Sequence, residues 1–94
     1  MIQVELVGSH CAKLSGRFDA SQVERARVVF DQLEGDCVLD LDGLHYISSA
    51  GISAMLLLYK RLSAGGHSIH LSNASGHVRN IIDYAGLAQI FTLD

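Results

Sequence analysis

The chain lacks several features that mark linkers, membrane proteins and secreted proteins. It contains no proline, and 49% of its 94 residues are hydrophobic, which argues against a disordered tail or linker. The apolar run Met55–Tyr59 is far shorter than the roughly 20 residues that span a membrane. No basic stretch followed by an apolar one marks a signal peptide. We therefore expect one small cytoplasmic domain over residues 1–94, with no membrane insertion.

Positive charge and cysteine are also scarce. The seven Lys and Arg residues are scattered and the net charge is −3, so no basic patch is available for nucleic acid. Cys11 and Cys37 are the only cysteines. Without a secretion signal they are expected to be free core thiols rather than a disulfide. The five histidines lack a regular ligand spacing, so neither a metal site nor another cofactor is expected.

The apolar residues switch between the strand period and the helix period along the chain. Alternation predicts an opening hairpin over residues 2–6 and 10–14, which Gly16 ends. Spacings of three and four predict a first helix after Asp19. A compact apolar run over residues 37–41 predicts an inner strand. The whole pattern predicts an α/β fold in the order β-β-α-β-α-β-α, with a further short strand near Phe91. Such a chain forms a mixed sheet of four to five strands, with helices packed mainly on one side.

Two adjacent serines follow a short hydrophobic strand and open an apolar helix. Either Ser48 or Ser49 could cap this helix, which runs to about Ala64, because serine oxygens accept bonds from free backbone N–H groups. The same N–H groups and the helix dipole also suit a phosphate. The segment is therefore an ordinary cap or a phosphorylation switch. The helix carries Ile52, Met55, Leu56 and Tyr59 on one face. Its apolar surface is extended by Leu57, Leu58 and Leu62, so we expect it to be more buried than the first helix.

Two acidic residues have structural explanations. Asp19 precedes the first helix, where it can form a capping box with Gln22; Ser21 with Glu24 is the alternative pair. Asp40 lies inside an apolar strand, where an unpartnered charge would be costly. We expect its carboxylate to reach the strand end and accept hydrogen bonds from nearby loop backbone.

Four segments, in this order along the chain, resemble the STAS domain, the fold of bacterial anti-sigma-factor antagonists and of sulfate-transporter tails. Residues 14–20 (LSGRFDA) resemble the family's LSGELDA segment, and residues 38–44 (VLDLDGL) resemble VLDLSGV. Residues 46–52 (YISSAGI) resemble the phospho-acceptor loop, written YIDSSGL or YISSAGL. The closing helix is matched by Gly65-Gly66, residues 78–82 and residues 85–87. The resemblance covers nearly the whole chain and implies a single STAS-like α/β domain.

The resemblance also implies a function. In this family a serine or threonine after the strand is phosphorylated by a partner kinase that is also the anti-sigma factor; by position it is Ser49, with Ser48 as the alternative. The unphosphorylated domain binds the kinase and releases the sigma factor, and phosphorylation breaks that complex. The implied partners are an anti-sigma factor/serine protein kinase of the histidine-kinase-like ATPase type and a phosphatase. The chain itself is expected to be a monomer or a weak dimer.

The implied partner-binding residues are Asp19, Ser48, Ser49, Ala50, Gly51 and Ser53. Asp19 is expected both to cap the first helix and to contact the kinase. Gly51, having no side chain, would let a partner's backbone approach. The chain departs from the family pattern at Ser48, where many members have aspartate, and at Ala50 and Ser53. It also resembles members of lipid-transport complexes, so the alternative is a non-phosphorylated subunit of an ABC-type transport or scaffold complex that binds an ATPase.

Catalysis by the chain itself is not expected. Ser49 is not surrounded by the Gly-x-Ser-x-Gly sequence of a nucleophile elbow. His45 is close in sequence, but nothing orients it as a base toward Ser49. A Walker-type glycine loop with lysine is also missing. The sequence therefore predicts a binding protein rather than an enzyme.

Overall fold

The computed structural model describes residues 2–93, which form six strands and three α-helices joined by short loops. The strands are β1 (Ile2–Leu6), β2 (Cys11–Phe18), β3 (Cys37–Asp40), β4 (Leu44–Ile47), β5 (Ile69–Ser72) and β6 (Thr92–Leu93). The helices are α1 (Val23–Phe30), α2 (Ser49–Ala64) and α3 (Gly76–Tyr84), with short 3-10 turns at Ala20–Gln22 and Leu87–Gln89.

The strands form one mixed sheet in the order β1-β2-β3-β5-β6, with β4 paired to β2. The hairpin partners β1 and β2 are antiparallel, and the other pairs are parallel. The predicted α/β fold is confirmed. The described part of the sheet has six strands rather than four to five. The short strand expected near Phe91 is β6, and the additional strand is β4, the short hydrophobic strand before the two serines, which the predicted order left out.

Strand β2 is longer than predicted because it has two successive partners. Its first half pairs with β3 at Cys11 to Lys13, and its second half pairs with β4 as far as Phe18. Gly16 therefore does not end the strand. It adopts a positive φ of 87° at the point where the pairing register shifts, and it donates its N–H to the Gly43 carbonyl at 2.9 Å.

The core lies on one face of the sheet. Ala12, Leu39 and Leu71 are neighbours across three strands, and none of them is exposed. The adjacent pair Cys11 and Val38, whose side chains point to the opposite face of the sheet, is only half-buried. Since side chains alternate along a strand, the helices cover mainly one face, as predicted.

Helix α2 has the predicted bounds, and Met55, Leu58 and Leu62 of its predicted apolar surface are buried. Its buried residues are Gly51, Ala54, Met55, Leu58 and Leu62. Ile52, Leu56 and Tyr59 are half-buried and pack against the core. Leu57, which the pattern also placed on the apolar surface, is 54% exposed. Gly51 brings the start of the helix close to the ends of β2 and β4; neither it nor the buried Ala54 belonged to the predicted apolar surface, which consisted of the larger side chains.

Both cysteines are free thiols, as expected. Cys37 is buried, and this burial raises the pKa of its thiol. Cys11 is half-buried on the less covered face of the sheet. Within residues 2–93, no three His, Cys, Asp or Glu side chains gather closely enough to hold a metal ion. The helices described for these residues are too short or too polar to cross a membrane.

Candidate functional site

The carboxyl ends of β2 and β4 bring two distant segments together. Phe18 and Ile47 are paired, and Ser48 donates its N–H to the Phe18 carbonyl at 2.8 Å. The next residue after Phe18 is Asp19. The chain leaves β2 through Asp19 and leaves β4 through Ser48 at the same edge of the sheet. The two segments that the resemblance implies for partner binding are therefore neighbours.

Ser48 is the N-cap of α2. Its backbone is extended, with φ −85° and ψ 171°, and its hydroxyl oxygen accepts a hydrogen bond from the Gly51 N–H at 3.2 Å. Its carbonyl accepts from the Ile52 N–H at 2.9 Å, which starts the helix. The choice between the two serines as the cap is thereby decided for Ser48.

Ser49 is the first residue within α2 and is exposed. Because Ser48 supplies the cap, the Ser49 hydroxyl is not needed to start the helix. Ser53 lies one helical turn further on and is also exposed, while Ala50 is half-buried. Ser49 and Ser53 share one stripe of the helix surface, since residues four apart lie on the same side.

Gly51 is buried, which corrects its expected role. A Cβ atom placed on it would lie 3.0 Å from the Phe18 carbonyl oxygen, 3.0 Å from Phe18 Cγ and 3.0 Å from Ile47 Cγ1. The missing side chain lets α2 pack closely against the ends of β2 and β4. Its surroundings are the protein's own strands, so Gly51 does not provide space for a partner's backbone.

Asp19 caps the 3-10 turn that leads into α1. Its Oδ1 accepts a hydrogen bond from the Ser21 hydroxyl at 2.6 Å and from the Ser21 N–H at 3.1 Å. The hydroxyl bond is the main cause that lowers the pKa of Asp19, and Arg17 contributes in the same direction. Asp19 therefore caps this turn and not α1 itself, whose N-cap is Gln22 without a side-chain cap hydrogen bond. The predicted Asp19–Gln22 capping box does not form, because Gln22 Oε1 has no hydrogen-bond partner; the Ser21 hydroxyl instead donates to Asp19 and accepts from Gln22 Nε2.

Asp40 has the structural role expected from the sequence. Its Oδ1 accepts from the Asp42 N–H at 3.0 Å and from Asn73 Nδ2 at 3.0 Å. These bonds, with that from Asn73 the larger cause, lower the pKa of Asp40. The carboxylate joins the end of β3 to the loop after β5. Sequence reasoning missed Asn73, whose positive φ of 59° could not be inferred from its neighbours.

Sequence reasoning also missed a contact beside the two strand ends. Arg17 and Tyr46 are paired across β2 and β4, and Arg17 Cζ lies 4.4 Å from the centre of the Tyr46 ring. Arg17 is exposed. The sequence offers no signal for this contact until the pairing of β2 with β4 is known.

The chain belongs to the STAS domain family, whose sequence model matches residues 2–94. BtrV of Bordetella bronchiseptica, a protein named as a candidate anti-sigma factor antagonist, is 39% identical over 61 residues. That match covers 65% of this chain and 53% of BtrV, so the alignment spans about half the length of this relative.

Two solved structures share the fold. The anti-sigma factor antagonist SpoIIAA in its unphosphorylated form matches with a TM-score of 0.77 at 22% identity, over 100% of this chain and 88% of SpoIIAA. The phosphorylated form of SpoIIAA, described as a Bacillus cell fate determinant, matches with a TM-score of 0.70 at 20% identity, over 100% and 91% of the two chains. At these identities the likeness shows the fold alone.

Proposed function

We propose that this protein is an anti-sigma factor antagonist that exchanges partners under the control of Ser49 phosphorylation. The observation that carries the proposal is the division between the two serines: Ser48 caps α2, and Ser49 is exposed beside it. A kinase could modify Ser49 without removing the helix cap. The 39% identity to BtrV supports the antagonist class.

A phosphate on Ser49 would change the surface without requiring the fold to change. It would add a charge of about −1.5 to −2 near neutral pH. The first backbone N–H groups of α2 and the positive end of its dipole would stabilise this charge locally. The same charge would repel acidic groups on a bound partner and would add bulk to a close interface. Phosphorylation would therefore release the partner.

We call the proposed contact region the acceptor surface and define it by Asp19, Ser48, Ser49, Ala50 and Ser53. Helix α2 extends this surface, because Leu57 follows Ser53 by one turn and is 54% exposed. Hydroxyl groups beside an exposed leucine suit a protein partner, since interfaces combine an apolar contact with a polar rim. Gly51 supports the surface from beneath.

The proposed partner is an anti-sigma factor that is also a serine kinase of the histidine-kinase-like ATPase type. A phosphatase would restore the unmodified state. The chain would act in the cytoplasm as a binding protein, without catalysis, cofactor or nucleic acid. This assignment rests on the family and on the acceptor surface together.

The test is affinity capture from native cells with matched variants. Wild type and Ser49→Ala should recover a histidine-kinase-like serine kinase, whereas Ser49→Asp should lose it. Ser9→Asp is the control, because Ser9 is exposed and precedes the opposite end of β2. The recovered kinase is then purified and its Kd measured for each variant, with at least about a tenfold weaker Kd expected for Ser49→Asp.

Equal Kd values for wild type and Ser49→Asp would refute phosphorylation control. Recovery of an ABC-type ATPase that binds regardless of charge at position 49 would favour the transport or scaffold subunit instead. Incubation of the purified kinase with ATP should phosphorylate wild type but not Ser49→Ala. If the phosphate is found on Ser48, then Ser48 and not Ser49 is the residue that the kinase phosphorylates.

A further inference from the structure

Arg17 lies on the opposite side of β2 from the core, close to the acceptor surface. Its neighbour Phe18 is fully buried, whereas Arg17 is exposed. Arg17 precedes Asp19 by two residues, and its strand partner Tyr46 precedes Ser48 by two residues. At a strand rise of roughly 3.3 Å per residue, both side chains begin about 7 Å from the acceptor surface. A protein that covers the ends of β2 and β4 would reach them.

The Tyr46 ring orders the Arg17 guanidinium. The 4.4 Å distance from Arg17 Cζ to the ring centre is within the range of a cation–π contact. Such a contact restricts a flexible side chain before any partner arrives, which reduces the entropy lost on binding. A planar guanidinium over an aromatic ring still presents N–H donors at its edge to an approaching group.

We infer that Arg17, held on Tyr46, is a specificity-determining residue that pairs with a carboxylate of the partner kinase. This inference rests on the proposed function. An arginine fork binds a carboxylate through two parallel hydrogen bonds, which supplies orientation as well as charge. Asp19 follows Arg17 by two residues at the end of β2. The surface therefore presents a positive charge and then a negative charge along the direction of this strand. Complementary order on the partner would set orientation and exclude partners with the reverse pattern.

The experiment uses the purified kinase that phosphorylates Ser49 and measures its Kd for the full chain with changes at Arg17. Arg17→Glu should weaken binding by about tenfold or more, because it places a carboxylate of this chain opposite the carboxylate of the kinase. Arg17→Gln should weaken it less, and Arg17→Lys should fall between Arg17→Gln and wild type, because lysine keeps the charge but not the fork. The affinity of wild type should fall with added salt more steeply than that of Arg17→Gln.

Lys13→Glu is the matched control. Lys13 is exposed in the same strand, four residues before Arg17, roughly 13 Å away along β2. Lys13→Glu changes the net charge by the same amount as Arg17→Glu and should alter Kd by less than about twofold. Thermal unfolding of each variant checks that the fold is retained. Reversing one acidic residue of the kinase to arginine should restore binding to Arg17→Glu.

A Kd for Arg17→Glu equal to that of wild type would overturn the inference, while a loss of binding in Ser49→Asp would still support the proposed function. Equal weakening by Lys13→Glu and Arg17→Glu would also overturn it, because the effect would then be one of net charge. Failure of wild type to bind any such kinase would overturn both proposals.

Discussion

At the scale of single residues, two adjacent serines have different tasks in the fold. The Ser48 hydroxyl accepts from the Gly51 N–H, and Ser49 is exposed within the first turn. The sequence could not separate them, because serine is a favoured cap at either position. The extended backbone at Ser48 makes this serine the cap. That backbone conformation is held by the pairing of Ile47 with Phe18 and by the hydrogen bond from the Ser48 N–H to the Phe18 carbonyl.

Gly51→Ala should destabilise the protein. The added Cβ would lie 3.0 Å from the Phe18 carbonyl oxygen, a backbone atom that cannot move aside without shifting β2. Overpacking of this kind costs about 1–3 kcal/mol, which exceeds the gain of about 1 kcal/mol from alanine's better helix propensity. Urea unfolding at neutral pH should therefore show a lower free energy of unfolding.

Gly76→Ala is the control for that measurement. Gly76 also lies in the first turn of a helix, but a Cβ there would have nothing within 4 Å. The free energy of unfolding should stay unchanged or rise by up to about 1 kcal/mol. Equal effects of the two substitutions would contradict the assigned packing role of Gly51.

Asn73→Gly should raise the pKa of Asp40. Glycine accepts the positive φ of residue 73 and removes the amide that is the largest cause of the lowered pKa. A carboxylate with a lowered pKa stabilises the fold above its usual pKa of about 3.9, and this contribution is lost as the pH falls through the folded pKa. The variant should thus lose less stability than wild type on acidification.

Titration of the Asp40 carboxyl by NMR would measure this change. The pKa of Asp19 serves as an internal control, because its main partner is Ser21 rather than Asn73. An unchanged Asp40 pKa in Asn73→Gly would show that the bond from Asn73 does not stabilise the carboxylate in solution.

At the scale of elements, Arg61 joins α2 to the end of α1. Its guanidinium donates to the Phe30 carbonyl at 2.7 Å and to the Leu33 carbonyl at 2.8 Å. These carbonyls lie at and just beyond the end of α1, where helix carbonyls lack intrahelical partners. The positive charge also suits the negative end of the helix dipole. One side chain therefore links α2 to the end of α1.

Arg61→Ala should lower the free energy of unfolding by about 1–3 kcal/mol, as expected for lost hydrogen bonds from a charged group. Urea unfolding would measure the change. Lys60→Ala removes an exposed cation from the preceding position and should cost less than about 0.5 kcal/mol. If the two variants lose the same stability, Arg61 contributes only its charge and does not hold α1 in place.

The sequence predicted elements best where the periodic signal is long. The bounds of α2 follow from its serine start, its apolar run and its glycine end. Strand β4 was recognised only as a short hydrophobic strand before Ser48 and was left out of the predicted order, whereas β3 and β5, which also have four residues each, were predicted. The buried face of α2 was predicted only in part: Met55, Leu58 and Leu62 are buried as expected, but Gly51 and Ala54 were missed. These two residues are small, and hydrophobicity alone does not rank them as core.

At the scale of the whole molecule, the sheet gathers the proposed contacts at one edge. The motif resemblance gave Asp19 and the residues around Ser49 from the sequence, and the pairing of β2 with β4 places Asp19 beside Ser48. Arg17 and Tyr46 could not be added from the sequence, because their contact exists only through that pairing. A surface built on strand ends and a helix start can change its charge while the core beneath it stays packed.

Site mapping by intact-mass and fragment mass spectrometry tests the central claim most directly. The protein would be isolated from its native cells with phosphatase inhibitors present at lysis, under several growth and stress conditions. Partner switching predicts a population that carries one phosphate, located on Ser49, with a fraction that changes between conditions. Protein that carries no phosphate in any condition would contradict the mechanism and favour a constitutive subunit that binds an ATPase.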